Sequence, residues 1–207
     1  MSMPPPARTA TVTRKTRETS VRVTLDLDGS GKTDVKTGIG FLDHLLDALG
    51  RHARFDLALS CEGDLQVDDH HTAEDCALVV GEALDRALGE RRGVNRFGWA
   101  LAPLDEALAR AVVDLSGRPF ADVTLDLHRD RQVIGGLACE NIPHLLRSLA
   151  TAARLTLHVD VLKGENDHHK AEAAFKASAL ALRQAVALSG FDDVPSTKGT
   201  LGGMSGE

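Results

Sequence analysis

Two short clusters in this sequence could do chemistry together. His70 and His71 are followed by Glu74, and His168 and His169 by Glu172, with the same His-His-x-x-Glu spacing. A solitary histidine precedes each cluster, His44 the first and His144 the second. On a helix each residue advances ~100°, so His70 and Glu74 share a face, as do His168 and Glu172. His71 and His169 point about a quarter-turn away. One helix therefore serves two metal ions more readily than it aims both histidines at one. Six histidines and two glutamates divide into two sets of three imidazoles and one carboxylate. If the pseudo-symmetry exchanges the sites, one set joins His70 and Glu74 to His169, and the other joins His168 and Glu172 to His71. His44 and His144 complete one set each; the spacing leaves open which, and the working expectation puts His144 with the first and His44 with the second. Imidazole with carboxylate suits Mn, Fe, Zn or Co, and four protein ligands leave open positions on an octahedral ion.

A second group of residues suits an anion. Arg96, Arg118 and Ser196-Thr197-Lys198-Gly199 lie in predicted loops with Gly or Pro nearby. Such loops present cations and backbone N–H groups to phosphate.

The elements that must position these groups are legible from periodicity. Val21 to Leu27 alternates as a strand. Phe41, Leu42, Leu45, Leu46 and Leu49 recur at helical spacing, predicting a helix over 40–53, with a strand following from Phe55 to Cys61. A helix fits 69–88: Asp69 can cap it, Ala73, Ala77, Val80, Leu84 and Leu88 form its buried stripe, and Gly89 can end it. Further strands are predicted over 97–102, 107–115, 120–127 and 155–162, and further helices over 138–153 and 168–188. These elements also repeat. His44 to Leu57 aligns with His144 to Leu157 at seven identical positions of fourteen, and the two His-His-x-x-Glu clusters align after a two-residue length difference. The expected class is α+β, a two-layer α/β sandwich built from a duplicated unit, each half a roughly four-stranded sheet with helices on one face. The halves are placed at 9–93 and 94–191, after a frayed tail at 1–8 and before a substrate-binding segment and tail at 192–207.

Composition narrows the field. A net charge of -6 lacks the basic surplus of a nucleic-acid binder. No apolar run approaches the ~20 residues that span a bilayer, and the Met-Ser-Met-Pro-Pro-Pro start has no apolar signal core, so a cytoplasmic protein without membrane partners is expected. Cys61, Cys76 and Cys139 are too few and too scattered for a disulfide framework or a thiolate zinc knot, and are expected to be reduced packing residues.

With these residues in view, the chain resembles the imidazoleglycerol-phosphate dehydratases of histidine biosynthesis. The matching stretches are Gly38-Ile-Gly-Phe-Leu-Asp-His44, Phe55-Asp-Leu57, Asp69-His-His-Thr-Ala-Glu-Asp75, Pro103-Leu-Asp-Glu-Ala107, Asp114-Leu-Ser-Gly-Arg-Pro-Phe120, His168-His-Lys-Ala-Glu172 with Phe175-Lys176, and Ser196-Thr-Lys-Gly199. They run in order over roughly 9–201. The resemblance implies a dehydratase acting on D-erythro-imidazole glycerol phosphate to give imidazole acetol phosphate. It implies two Mn2+ per subunit at sites between subunits, with ligands His44, His70, His71, Glu74, His144, His168, His169 and Glu172. It also implies a homo-oligomeric shell, usually of 24 chains. Residues matching Glu18, Arg96, Arg118, Ser196 and Lys198 would contact substrate; His52, Lys176 and Thr197 are further substrate-binding candidates. The chain departs from the family at Ala48, where relatives often carry Gln, and at Leu104, which replaces a common Met.

That chemistry suits such a site. The hydroxyl to be lost sits on the carbon attached to the imidazole ring, and the neighbouring C–H is not acidic. A ring held as imidazolate by two metals can expel the hydroxyl through a diazafulvene-like intermediate and then accept electrons as a base removes the proton. Glu172 and Glu18 are the first candidates for acid and base, with Asp105, Glu106 and His52 behind them. A metal-storing shell and a dinuclear phosphate-ester hydrolase are the competing readings. Storage needs no phosphate-binding cluster, and such hydrolases favour oxygen-rich ligand sets over imidazole.

Overall fold

The computed structural model describes residues 7–128 and 132–201. Ten strands and four helices follow one another along the described chain. In the first half come β1 (Thr9–Lys15), β2 (Thr19–Asp26), β3 (Thr33–Lys36), α1 (Gly40–Ala53), β4 (Asp56–Gly63) and α2 (His70–Leu88). In the second come β5 (Phe97–Leu104), β6 (Ala107–Asp114), β7 (Phe120–Thr124), a small hairpin of β8 (Val133–Ile134) and β9 (Leu137–Ala138), α3 (Asn141–Ala152), β10 (Thr156–Lys163) and α4 (Asp167–Val186).

The two halves share one topology. Their sheets run β1-β2-β4-β3 and β5-β6-β10-β7. In each, the first three neighbours pair antiparallel and the last pair is parallel. Registers agree as well. Asp26 faces Thr9 and Asp56 in the first sheet, and Asp114 faces Phe97 and Thr156 in the second. α1 and α3 both lead into a left-handed arginine, Arg54 at φ 64° and Arg154 at φ 50°. Their backbone N–H groups donate to the helix ends, Arg54 to Arg51 and Arg154 to Thr151. The expected α+β sandwich with one unit present twice is therefore the observed architecture.

Alternation explains which face of each sheet is covered. Val21, Val23 and Leu25 of β2, and Ala109, Ala111 and Val113 of β6, are buried, while their neighbours point outward. α2 lies on β1 and β2, and α4 on β5 and β6. The helices also pair across the halves, α1 with α4 and α2 with α3. The predicted stripe on α2 is buried throughout. Small residues set the helix–sheet distance: a Cβ on Gly98 would stand 1.9 Å from the Ala181 carbonyl oxygen, so only glycine lets α4 settle on β5.

Several details differ from the sequence expectation. Strands β1 and β3 go unnoticed in the pattern because neither buries an alternating apolar set: only Val12 of β1 is buried and Val35 of β3 is half-buried. The strand expected over 120–127 pairs only to Thr124, because Asp126 turns left-handed at φ 50° and gives its carbonyl to Lys170. Asp69 does not cap α2 with its side chain. The Asp68 carboxylate accepts the His70 N–H at 2.8 Å instead, while Asp69 accepts from Ala138 N and Asn141 Nδ2. Of the tail expected over 1–8, residues 1–6 lie outside the described residues, and Arg8 is anchored: its Nε donates to Asp28 at 2.9 Å and its carbonyl accepts from Leu27. The tail expected over 202–207 also lies outside them. No helix among the described residues is long and apolar enough to cross a membrane.

Candidate metal centre and anion loops

Helix starts and helix pairing bring the repeated residues together. His70 opens α2 and His168 is the second residue of α4, each with its glutamate one turn on. Because α1 packs on α4, His44 reaches Glu172; because α3 packs on α2, His144 reaches Glu74. The outcome is two three-residue groups, His44–His168–Glu172 and His70–Glu74–His144, whose donor atoms lie within 4.8 Å of one another in each. In the first, His44 Nε2 stands 2.8 Å and His168 Nε2 3.2 Å from Glu172 Oε2. In the second, His144 Nε2 stands 3.2 Å from Glu74 Oε1, and His70 Nε2 3.8 Å from Oε2. Two imidazoles converging on one carboxylate form a donor set that fits a divalent first-row cation. Within one chain the fold sets His144 beside His70 and Glu74, and His44 beside His168 and Glu172.

His71 and His169 belong to neither group. Their rings stand at 73° and 88° to those of His70 and His168, with centroids 6.1 Å away in both cases. His71 turns Nδ1 to Asp64 at 3.0 Å and Nε2 toward Glu18 at 3.8 Å. His169 turns Nδ1 to Glu106 at 2.7 Å and Nε2 toward Asp105 at 3.8 Å. Within one chain, then, His169 does not join His70, nor His71 His168. Hydrogen bonds to Asp64 and Glu106 raise the pKa of His71 and His169 respectively. Glu106 in turn is held at about 2, by the Asn166 N–H first and then by His169.

Glu172 is mostly buried and meets three cationic or imidazole partners, His44, His168 and Lys176. Burial alone would raise its pKa, but hydrogen bonds from Lys176 (2.7 Å) and His44, with their charges, hold it at about 2. Lys176 thus lies at the edge of this group. Burial, and then the charge of Lys176, lower the pKa of His52 on the last turn of α1. Glu18 lies in the exposed β1–β2 turn.

The anion candidates are partly assembled. Arg96 sits in a left-handed conformation at φ 72°, a strained state that the surroundings must enforce. Its guanidinium grips Asp114 through two bonds of 2.7 and 3.2 Å and donates to the Pro195 carbonyl at 2.8 Å. That last bond places Arg96 beside Ser196. The Ser196 hydroxyl accepts from Lys198 N, and Thr197 and Lys198 are exposed. Arg118 is exposed, and its guanidinium donates to Ser116 within its own loop.

Sequence reasoning passed over Asp64 and Asn141. Asn141 is buried, and its Oδ1 lies 2.9 Å from His70 Nδ1. Its position three residues before His144 was the available signal. Asp64 lies in the loop between β4 and α2, and only the fold turns it onto His71. The three cysteines carry no disulfide, with Cys76 and Cys139 buried and Cys61 partly so.

Fold and site together define an α+β protein of two equivalent halves carrying paired histidine–carboxylate groups at helix starts. Residues 37–182 match the imidazoleglycerol-phosphate dehydratase family, and the chain belongs to that family of histidine-biosynthetic hydro-lyases. A relative of that name from Phaffia rhodozyma is 55% identical over 97% of this chain and all of its own length. One from Phytophthora nicotianae is 58% identical over 94% of this chain, which spans 42% of that longer protein. Two solved structures share the fold. Imidazoleglycerol-phosphate dehydratase from Staphylococcus aureus has a TM-score of 0.78, with 32% identity, covering 87% of this chain and 99% of that one. The Pyrococcus furiosus enzyme in complex with (S)-C348 has a TM-score of 0.77, with 37% identity, covering 91% and 99%.

Proposed function

We propose that this chain dehydrates D-erythro-imidazole glycerol phosphate to imidazole acetol phosphate, in the cytoplasm, using two divalent cations per subunit, Mn2+ being the expected pair. The observation that carries the reading is the doubled donor set, two groups of three with His71 and His169 turned outward. Each group lacks one imidazole, and each outward histidine lacks a group. Neighbouring copies in a homo-oligomeric shell, 24 chains by family resemblance, supply the missing donor: His169 of one copy to His70, Glu74 and His144, and His71 to His168, Glu172 and His44. The halves at 9–93 and 94–191 form the frame, followed by the substrate-binding segment and tail at 192–207.

Two cations held by His70, Glu74 and His144 and by His44, His168 and Glu172 would supply the positive charge that lets an imidazole ring take up electrons. The chain's own residues do the rest. Arg96, Arg118, Ser196, Thr197 and Lys198 fix the phosphate end. Glu18, placed beside His71 Nε2, and Glu172, which lies among His44, His168 and Lys176, share the two proton transfers: one takes the carbon-bound proton and the other gives a proton to the departing hydroxyl, which leaves as water. Glu106, held at about 2 by the Asn166 N–H first and then by His169, orients His169 through its 2.7 Å bond to Nδ1. His52 sits beside Lys176 as a further substrate contact. The anion loops favour turnover over metal storage, because storage has no use for them.

The test is direct. Protein stripped of metal and reloaded with Mn(II) should convert the substrate to the keto product, bind two ions per chain and sediment as a large assembly. Full occupancy without turnover would leave storage as the function.

A further inference from the structure

The two donor groups are alike in topology and unlike in support. Position three before the solitary histidine is Asn141 on α3 and Phe41 on α1. Asn141 Nδ2 donates to Asp69 Oδ2 at 3.0 Å, and its Oδ1 lies 2.9 Å from His70 Nδ1. A carboxylate only accepts, so the amide must turn its NH2 toward Asp69 and its carbonyl toward His70. His70 then carries its proton on Nδ1, and Nε2 presents a bare lone pair toward Glu74 and His144. In the other group Phe41 lies against His168 instead, ring centroids 4.8 Å apart at 48°. An aromatic ring packs against an imidazole but gives Nδ1–H no carbonyl to bind. The carboxylates differ too. Glu172 is bound by Lys176 at 2.7 Å, so an incoming cation must compete with an ammonium group. The position one turn after Glu74 is Leu78, which offers no such competitor.

Resting on the two-cation reading above, we propose that Asn141 is a positioning residue for His70, and that it makes the His70–Glu74–His144 group the tighter of two unequal divalent-cation sites. The Asp69–Asn141–His70 relay fixes the tautomer before the ion arrives and raises the basicity of Nε2. Loading is therefore sequential, with the His44–His168–Glu172 group filling second. The asymmetry is invisible in the ligands, which match across the halves. It lies in what stands behind them.

Electron paramagnetic resonance of free Mn(II), titrated into metal-free full-length protein, counts bound ions without reference to turnover. Two classes of site are expected. Asn141→Leu should weaken the tighter class by about 10- to 100-fold and leave the weaker class in place. Glu172→Gln should remove the weaker class. If Asn141→Leu fails to fold, Asp69→Asn keeps the volume and an acceptor for Ala138 N while lifting the charge, and should weaken the tighter class to a smaller degree. A single class of equal sites, an unchanged tight class in the folded Asn141 variant or in Asp69→Asn, a loss spread over both classes, or loss of the tighter class in Glu172→Gln would overturn the proposal. Binding of no ion by the unaltered protein would overturn the two-cation reading with it.

Discussion

His168 and His169 are adjacent in the chain, yet their rings stand at 88° with centroids 6.1 Å apart, and they serve different neighbours. His168 faces Glu172 at 3.2 Å, while His169 faces Glu106 at 2.7 Å. The same divergence separates His70 from His71. If the outward histidines complete sites on other copies, His71→Ala and His169→Ala should each lower metal content, lose activity and reduce the mass of the assembly. Light scattering with metal analysis checks this; unaltered metal stoichiometry in both variants would break the ligand assignment.

Glu18 is exposed and stands 3.8 Å from His71 Nε2. Glu18→Gln should lower kcat by about 10²- to 10⁴-fold, the usual contribution of a placed proton-transfer group. Metal content should stay unchanged. A fall in metal content instead of kcat would make Glu18 a support for His71 alone.

Lys198 is exposed in the loop that Arg96 holds at Pro195. Losing one charge-assisted bond to phosphate costs about 1.5–3 kcal/mol, and each ~1.4 kcal/mol is tenfold. Lys198→Ala should therefore lower kcat/KM by about 10- to 100-fold, mostly through KM, with an unchanged unfolding midpoint. Equal KM values would remove this loop from the phosphate site.

The raised pKa values of His71 and His169 set a pH dependence for metal uptake. Each imidazole keeps its proton to a pH above its ordinary 6.5, and an incoming ion must displace it. Affinity should fall as pH drops through those raised values, with proton release on binding near neutrality and less of it at pH above them. In the metal-free protein the sign is opposite: the ion pairs with Asp64 and Glu106 stabilise most below 6.5 and fade as pH rises through the folded-state values. Calorimetry in buffers of different ionisation enthalpy reads the proton release. No buffer dependence at neutral pH would contradict it.

Arg91 ties the halves together. It is 1% exposed, bonds Asp85 at 2.6 Å and donates to the carbonyls of Leu115, Ala153 and Arg154 at 2.9–3.1 Å. Arg91→Met should destabilise the protein by about 3 kcal/mol or more, since those buried carbonyls lose their donor. Urea unfolding measures it; a shift below about 0.5 kcal/mol would show that water replaces the guanidinium at little cost.

What the sequence alone determined is local or periodic. The helices α1 to α4, the central strands and the repeated His-His-x-x-Glu spacing follow from patterns of 3.6 and 2 residues, and so does the divergence of adjacent imidazoles. The strands β1 and β3 escaped because each sets a single valine against the core, too little for a period of two to show, whereas β5, also an edge strand, alternates sharply. Only the tertiary structure decided which solitary histidine meets which glutamate, because that depends on α1 crossing to α4 and α3 to α2 between the halves. It also decided what stands behind the ligands. Asp64, Glu106 and Asn141 reach their histidines across 7, 63 and 71 positions of chain. A side chain that orients a ligand carries no periodic mark in sequence, since its effect rests on a distance that folding alone creates.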